Sequence, residues 1–168
     1  MKIFVPKETH SGETRAAFVP ATVKKLCALG AQISVEPGIG SGIDLDDAAY
    51  AEAGASLQER QAGLGGADLV ACLRKPSVED VAKMREGAIL AGLLEPFSSP
   101  KVISALASRN ISAISMEMLP RTTLAQKMDA LSSQANLAGY VAVILAAERL
   151  NKILPMMMTP AGDRKSVV

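Results

Sequence analysis

Five short apolar runs, separated by stretches of helical character, restrict this chain to one class of fold. The runs lie at 2–5, 31–36, 67–73, 88–94 and 111–116 and are rich in Val, Ile, Leu and Ala. Each is long enough for a buried strand and too short for a buried helix. Helical patterns fall between them at 22–29, 46–53, 78–84 and 100–108, with Gly30, Gly54 and Pro76 among the stops. After the break at Pro120 a long helix is predicted over 132–154. Strands alternating with helices at this spacing build βαβ units and a parallel sheet. The expected fold is therefore α/β, a Rossmann-like (flavodoxin-like) parallel sheet flanked by helices. It ends in a long helix leading to a further lobe.

The organisation expected from this pattern is an α/β lobe over 1–131, a connecting helix over 132–154 and the start of a linker over 155–162. The last six residues, Asp163-Arg164-Lys165-Ser166-Val167-Val168, have no apolar period. They match the in-frame reading of a common sequencing-adapter oligonucleotide, so they are taken as a non-native tail.

At 168 residues the chain suffices for one domain, and a domain of that size buries roughly 68–70% of its unfolded surface without needing a staple. A formal net charge of +1 gives no electrostatic case for nucleic acid or an anionic membrane surface. Cys27 and Cys72 lie in apolar surroundings and are expected to pack as small hydrophobes. Without a cysteine framework or signal peptide, the chain is expected to be soluble and cytoplasmic. Its longest apolar stretches are taken to be broken by charges well short of the ~20 residues of a membrane span.

Most small motifs are uninformative. Gly38, Gly40 and Gly42 follow a strand but lack the third glycine of a G-x-G-x-x-G loop and do not open a helix. Gly63, Gly65 and Gly66 fare no better. The single histidine, His10, sits in a polar loop without clustered Cys, Asp or Glu, so no metal site is expected. The loop after the first strand is more telling. Lys7, Glu8 and Arg15 lie beyond a strand's carboxyl end, where ligands bind in open parallel sheets. A solvated loop accounts for them equally well.

The densest polar segment runs from Met118 to Tyr140, at the step from the last strand to the long helix. Arg121, Gln126, Asp129, Ser132, Ser133, Gln134 and Asn136 crowd it. A helix cap explains one hydroxyl, Ser132 or Ser133, but not the rest. A nicotinamide carboxamide wants a donor and an acceptor, which Arg121 and Gln126 supply. Asp129 would hold the guanidinium; breaking such a pair when buried costs roughly 3–5 kcal/mol. Direct hydride transfer needs no acid–base residue, because the cofactor carries the chemistry. The protein must supply approach of the two carbons to about 3–3.5 Å.

The segment Pro120-Arg121-Thr122-Thr123…Ala125-Gln126…Met128-Asp129-Ala130-Leu131-Ser132-Ser133-Gln134-Ala135-Asn136-Leu137-Ala138-Gly139-Tyr140 closely resembles the alpha subunits of proton-translocating NAD(P) transhydrogenases. The likeness extends to Val5-Pro6-Lys7-Glu8, Gly12-Glu13-Thr14-Arg15, Glu36-Pro37-Gly38-Ile39-Gly40 and Pro155-Met156-Met157-Met158-Thr159-Pro160-Ala161-Gly162. The resemblance implies a two-lobed NAD(H)-binding component with the cofactor in the cleft. That component exchanges hydride with NADP(H) held by a separate component, coupled to proton movement through a membrane-spanning part. It also implies a homodimer, peripheral to the inner (plasma) membrane through its partners. The cofactor-binding residues map onto Arg121, Gln126, Asp129 and Ser132, with Gln126 and Asp129 in the catalytic role. A second arginine of the motif is Leu124 here.

Alanine dehydrogenases are similar over the same lobe and form the rival expectation. Arg15 would then contact a substrate carboxylate. Their catalytic histidine falls where this chain has Leu94-Glu95-Pro96-Phe97, and their substrate lysine falls near Arg74 and Lys75. Both departures weigh against an amino-acid dehydrogenase. A third expectation is a non-catalytic docking module. The family's glycine-rich pyrophosphate loop would follow Gly162, so these residues alone are expected to show no turnover and very weak NAD affinity.

Overall fold

The computed structural model describes residues 1–120 and 122–152. They fall into two compact units, Met1–Met128 and the residues from Asp129 onward. The expected linker at 155–162 and tail at 163–168 lie outside the described residues, as does Arg121.

The first unit is a six-stranded sheet. In chain order it contains β1 (Lys2–Val5), α1 (Pro20–Ala28), β2 (Gln32–Val35), α2 (Asp47–Glu52), β3 (Ser56–Leu57) and α3 (Arg60–Gly66). Then come β4 (Leu69–Arg74), α4 (Val78–Lys83), β5 (Ile89–Leu93), α5 (Pro100–Ser108) and β6 (Ser112–Ser115). Every neighbouring pair is parallel, in the order β3-β2-β1-β4-β5-β6. This is the usual dinucleotide-fold order; without the two-residue β3 it reads as the flavodoxin order, so both parts of the expected description hold.

Side chains alternate across each strand, and the core is accordingly double. Phe4 of β1 packs with Leu64, Val70, Val81, Met84, Leu90 and Leu106 on one face. Ile3 and Val5 pack with Val23, Ile33, Val35 and Tyr50 on the other. Local signals start the helices. Pro20 and Pro100 open α1 and α5, where a missing N–H costs nothing. Asp46 and Ser77 cap α2 and α4, accepting from the amides of Ala49 at 2.9 Å and Asp80 at 3.1 Å.

Two elements escape the sequence pattern, β3 and α3. Two residues carry too little periodicity to read, and three glycines disguise α3 as a turn. Gly63 is there for packing. A Cβ at that position would stand 2.3 Å from the Phe4 ring.

In the second unit α6 spans Ala130–Arg149. It begins before the predicted Ser132 because Asp129 is the cap, its carboxylate accepting from the Ser132 amide at 2.9 Å. It ends at Arg149 rather than 154, since Leu150 turns to extended backbone. One expectation needs correcting here. From Ala130 to Ala147 no charged residue interrupts the helix, so α6 is long and apolar enough to cross a membrane by length and composition alone. The charges expected to break the stretch, Glu148 and Arg149, come only after those uncharged residues.

Candidate functional site

The carboxyl ends of the strands gather the charge. At the point where strand order reverses, between β1 and β4, a crevice usually accepts a ligand. Here Glu8, from the loop after β1, fills it. Its carboxylate accepts from the amides of Leu73 at 2.6 Å and Arg74 at 3.2 Å. Burial raises the Glu8 pKa against the opposing pull of those two bonds. The bonds answer a local need. β4 takes three steps from Ala71 to Arg74 while β5 takes two from Ala91 to Leu93, a bulge that frees backbone donors.

Arg15 in the same loop forms a two-pronged pair with Glu13. Nε donates to Oε1 and Nη2 to Oε2, both at 2.7 Å. This bond holds the Glu13 carboxyl at about 2, well below the usual range. Lys7, Glu8, Glu13, Thr14, Arg15, Ile39, Ser41 and Gly42 line a small cavity of about 80 Å³ beside it. Arg60, at the start of α3, braces the loop from beneath. Its Nη1 donates to the Lys7 carbonyl at 2.9 Å and to Glu36 at 2.7 Å, and its Nη2 donates to Asp80 at 2.7 Å.

A second polar cluster stands after β4 and β5. Lys75 Nζ donates to Glu95 Oε2 at 2.7 Å and to Ser99 Oγ at 2.8 Å. Arg74 Nη2 lies 3.7 Å from the other Glu95 oxygen. Glu117, beyond β6, accepts from the amides of Leu94 and Glu95.

The segment singled out by sequence divides between the units. Thr122 starts a single turn of 3-10 helix at Ala125–Met128, its hydroxyl accepting from the Ala125 amide at 3.3 Å. Gln126 sits exposed on that turn, its side-chain amide unbonded among the described residues. Leu124 beside it is 86% exposed. Nearby in the chain, at the carboxyl end of β6, the buried Ser115 Oγ has no hydrogen-bond partner among the described residues. In the second unit the structure does bring Asp129 and Ser132 together. Ser132 Oγ donates to Asp129 Oδ2 at 2.6 Å, alongside the amide bond to Oδ1 at 2.9 Å. Ser133 Oγ donates to the Asp129 carbonyl at 3.2 Å. Arg121, the expected partner of Asp129, lies outside the described residues.

Sequence reasoning flagged the cations Lys7, Arg15, Arg74 and Lys75 but missed Arg60 and the carboxylates that pair with Arg15, Arg74 and Lys75. Only Glu13, two residues from Arg15, left a signal in the spacing. No group of three or more His, Cys, Asp or Glu capable of holding a metal occurs among the described residues.

A parallel sheet in dinucleotide-fold order, with polar side chains at its carboxyl edge, defines a doubly wound α/β lobe of the dinucleotide-fold class. Residues 4–138 match the alanine dehydrogenase/PNT N-terminal domain, and the chain belongs to that family. It is similar to an NAD(P) transhydrogenase alpha subunit of Rhodospirillum rubrum, 44% identical over 96% of this chain and 44% of the relative. Alanine dehydrogenase 2 of Staphylococcus aureus is more distant, 31% identical over 91% of this chain and 41% of the relative. The crystal structure of transhydrogenase from Sinorhizobium meliloti superposes with a TM-score of 0.87 at 41% identity, covering 96% of this chain and 48% of that one. The chain thus spans less than half the length of these relatives.

Proposed function

We propose that this chain is the N-terminal lobe of the NAD(H)-binding component of a proton-translocating NAD(P) transhydrogenase. The observation that carries the reading is the Asp129–Ser132 arrangement at the head of α6, in the segment that resembles those subunits. The greater identity to a transhydrogenase subunit than to an alanine dehydrogenase supports it.

The residues present fit a nicotinamide. Gln126 offers a donor and an acceptor to a carboxamide, and its amide is not spent on the described protein. Asp129 holds Ser132 through two bonds, accepting from its backbone amide and from its hydroxyl, and a side chain so held costs little ordering when a ligand arrives. Arg121 completes the proposed set. When bound, NAD(H) supplies the hydride chemistry, so no residue need move a proton at the reacting carbon. Gln126 and Asp129 act by orienting the ring.

In this reading residues 1–131 form one lobe and 132–154 the helix into a second lobe, which contributes the pyrophosphate site. NADP(H) sits on a separate component, and a membrane-spanning part couples transfer to proton movement. The NAD(H) component is a homodimer on the cytoplasmic side, peripheral to the inner membrane.

The test uses the complete subunit with its partner components. Gln126→Ala and Asp129→Asn should each slow hydride transfer from NADH to an NADP+ analogue by at least roughly tenfold, about 1.4 kcal/mol of barrier. Unchanged rates would point to a docking module instead. NADH oxidation that depends on pyruvate and ammonia would overturn the reading in favour of an amino-acid dehydrogenase.

A further inference from the structure

The two edges of the sheet are built differently. β3, at one side, is two residues long, and so short an edge offers little for another chain to pair with. β6, at the other side, is a regular strand, Ser112-Ala113-Ile114-Ser115, in unbroken register with β5. It has no charge, no proline and no bulge, the usual devices that guard an edge. The charges flanking it are turned away. Arg109 donates to the Met84 carbonyl at 2.6 Å, and Glu117 accepts from the amides of Leu94 and Glu95.

The backbone of β6 defines what fits against it. Ser112 donates its amide to the Ala88 carbonyl at 3.0 Å. Alternate residues of a parallel strand face the neighbour, so Ser112 and Ile114 turn toward β5. Ala113 and Ser115 therefore aim amide and carbonyl outward, and these groups have no hydrogen-bond partner among the described residues. Their spacing is self-complementary. When a second β6 runs antiparallel about a twofold axis at Ile114, Ala113 stands opposite Ser115 of the second copy. Each such pair exchanges both amide-to-carbonyl bonds, so every outward group of the two residues is used. An axis at Ala113 would instead need the Ile111 amide, which is already given to the Leu106 carbonyl at 3.0 Å. The axis at Ile114 also sets two isoleucines against each other. Ile114 is 43% exposed, and apolar cross-strand pairs add to a sheet's stability. Past Lys101, the helix α5 packed beside β6 exposes only Ser104, Ala107 and Ser108, short side chains that leave room for close approach.

We propose that β6 is a self-association edge, through which two copies of this chain join antiparallel into one continuous sheet. Twofold pairing uses up the β6 edge of both copies, so association closes at the dimer. The surface belongs to the first unit alone, and the proposal stands independently of the transhydrogenase reading.

The experiment is sedimentation equilibrium of the 168-residue chain, with cysteine cross-linking to fix the register. The wild type should be a dimer at roughly 0.1 mM that dissociates on dilution. Ala113→Pro removes an amide that no bond inside the chain uses, so β6 keeps its ladder to β5. It should weaken the dimer at least roughly tenfold with an unchanged circular dichroism spectrum. Opposed Ile114 residues would stand about 4.5 Å apart at Cα, within disulfide reach. With the half-buried Cys27 replaced by serine, Ile114→Cys should therefore cross-link two copies under mild oxidation. Ala113→Cys, whose twin lies two steps along the strand and beyond about 7 Å, should not. A wild type that stays monomeric would overturn the proposal. So would a folded Ala113→Pro chain that dimerises as tightly as wild type, which would place the contact on another surface such as α6. If Ala113→Pro does not fold, the cysteine pair decides: cross-linking at Ile114 alone supports the edge, and any other pattern refutes it.

Discussion

Replacing Arg60 with methionine should cost this chain far more than any surface charge can explain. The guanidinium holds three parts of the sheet edge together: the loop after β1 through the Lys7 carbonyl, the end of β2 through Glu36, and α4 through Asp80. Asp80 is only 7% exposed, and Arg60 retains 22% of its side-chain surface. Leaving a buried carboxylate without its partner costs about 3–5 kcal/mol, and partial solvation of Arg60 lowers the expectation to about 2–4 kcal/mol. Methionine preserves the stem packing, so the loss reports the charge and its bonds. The comparison is Arg85, paired with Asp68 at side-chain exposures of 49% and 34%. Its methionine variant should lose less than about 1 kcal/mol. Urea unfolding monitored by circular dichroism gives both differences by linear extrapolation. A double variant with Asp80→Asn isolates the pair, because removing both charges should recover part of the loss. If Arg60→Met unfolds within about 1 kcal/mol of wild type, or no differently from Arg85→Met, the bracing role is wrong.

Gly63→Ala places a Cβ 2.3 Å from the Phe4 ring and should destabilise by about 1–3 kcal/mol through overpacking. Gly66→Ala meets nothing within 4 Å and should be neutral; equal melting temperatures for the two variants would remove the packing account. Glu13 makes a signed pH prediction. Its folded pKa of about 2 lies below the ordinary value of 4.5, so its contribution is fully present above about 4.5 and lost as pH falls through about 2. Arg15 is 41% exposed, so water limits the effect to about 1 kcal/mol. Wild type and Glu13→Gln should therefore differ at neutral pH and converge near pH 2. A carboxyl NMR titration placing Glu13 near its ordinary value would contradict the geometry.

How much of this was legible beforehand follows from what each element needed. Strands that bury side chains in the core announce themselves as apolar runs, which is why β1, β2, β4 and β5 were readable to within about two residues. The edge strand β6 was equally readable although its side chains are exposed or half-buried. Pro20, Asp46, Ser77 and Pro100 mark helix starts by local chemistry and required no tertiary knowledge. α3 was hidden because its glycines serve the tertiary contact with Phe4 and work against its own helicity. α6 misled in the opposite direction. Charges were expected to break every apolar stretch well short of a span, yet the first charges in α6 come only at Glu148 and Arg149.

The site divides along the same line between local and distant partners. Asp129 and Ser132 are three residues apart, one turn of helix, so their contact, which caps α6, was within reach of the sequence. The cations were visible singly, but what fixes their chemistry is partners far away in the chain. Lys75 meets Glu95 twenty residues on, and Arg74 lies within ion-pair distance of the same carboxylate. A guanidinium or ammonium read alone promises an anion site. The same group held by its own chain's carboxylate withdraws that promise, and only the parallel stacking of β1, β4 and β5 reveals which case applies. For this lobe the consequence is directional. The charges after β1, β4 and β5 are largely spent on one another, whereas Gln126, past β6, keeps its side-chain amide free of the described protein. The chemistry still open to a cofactor therefore lies past the last strand, where the sequence was densest in polar groups.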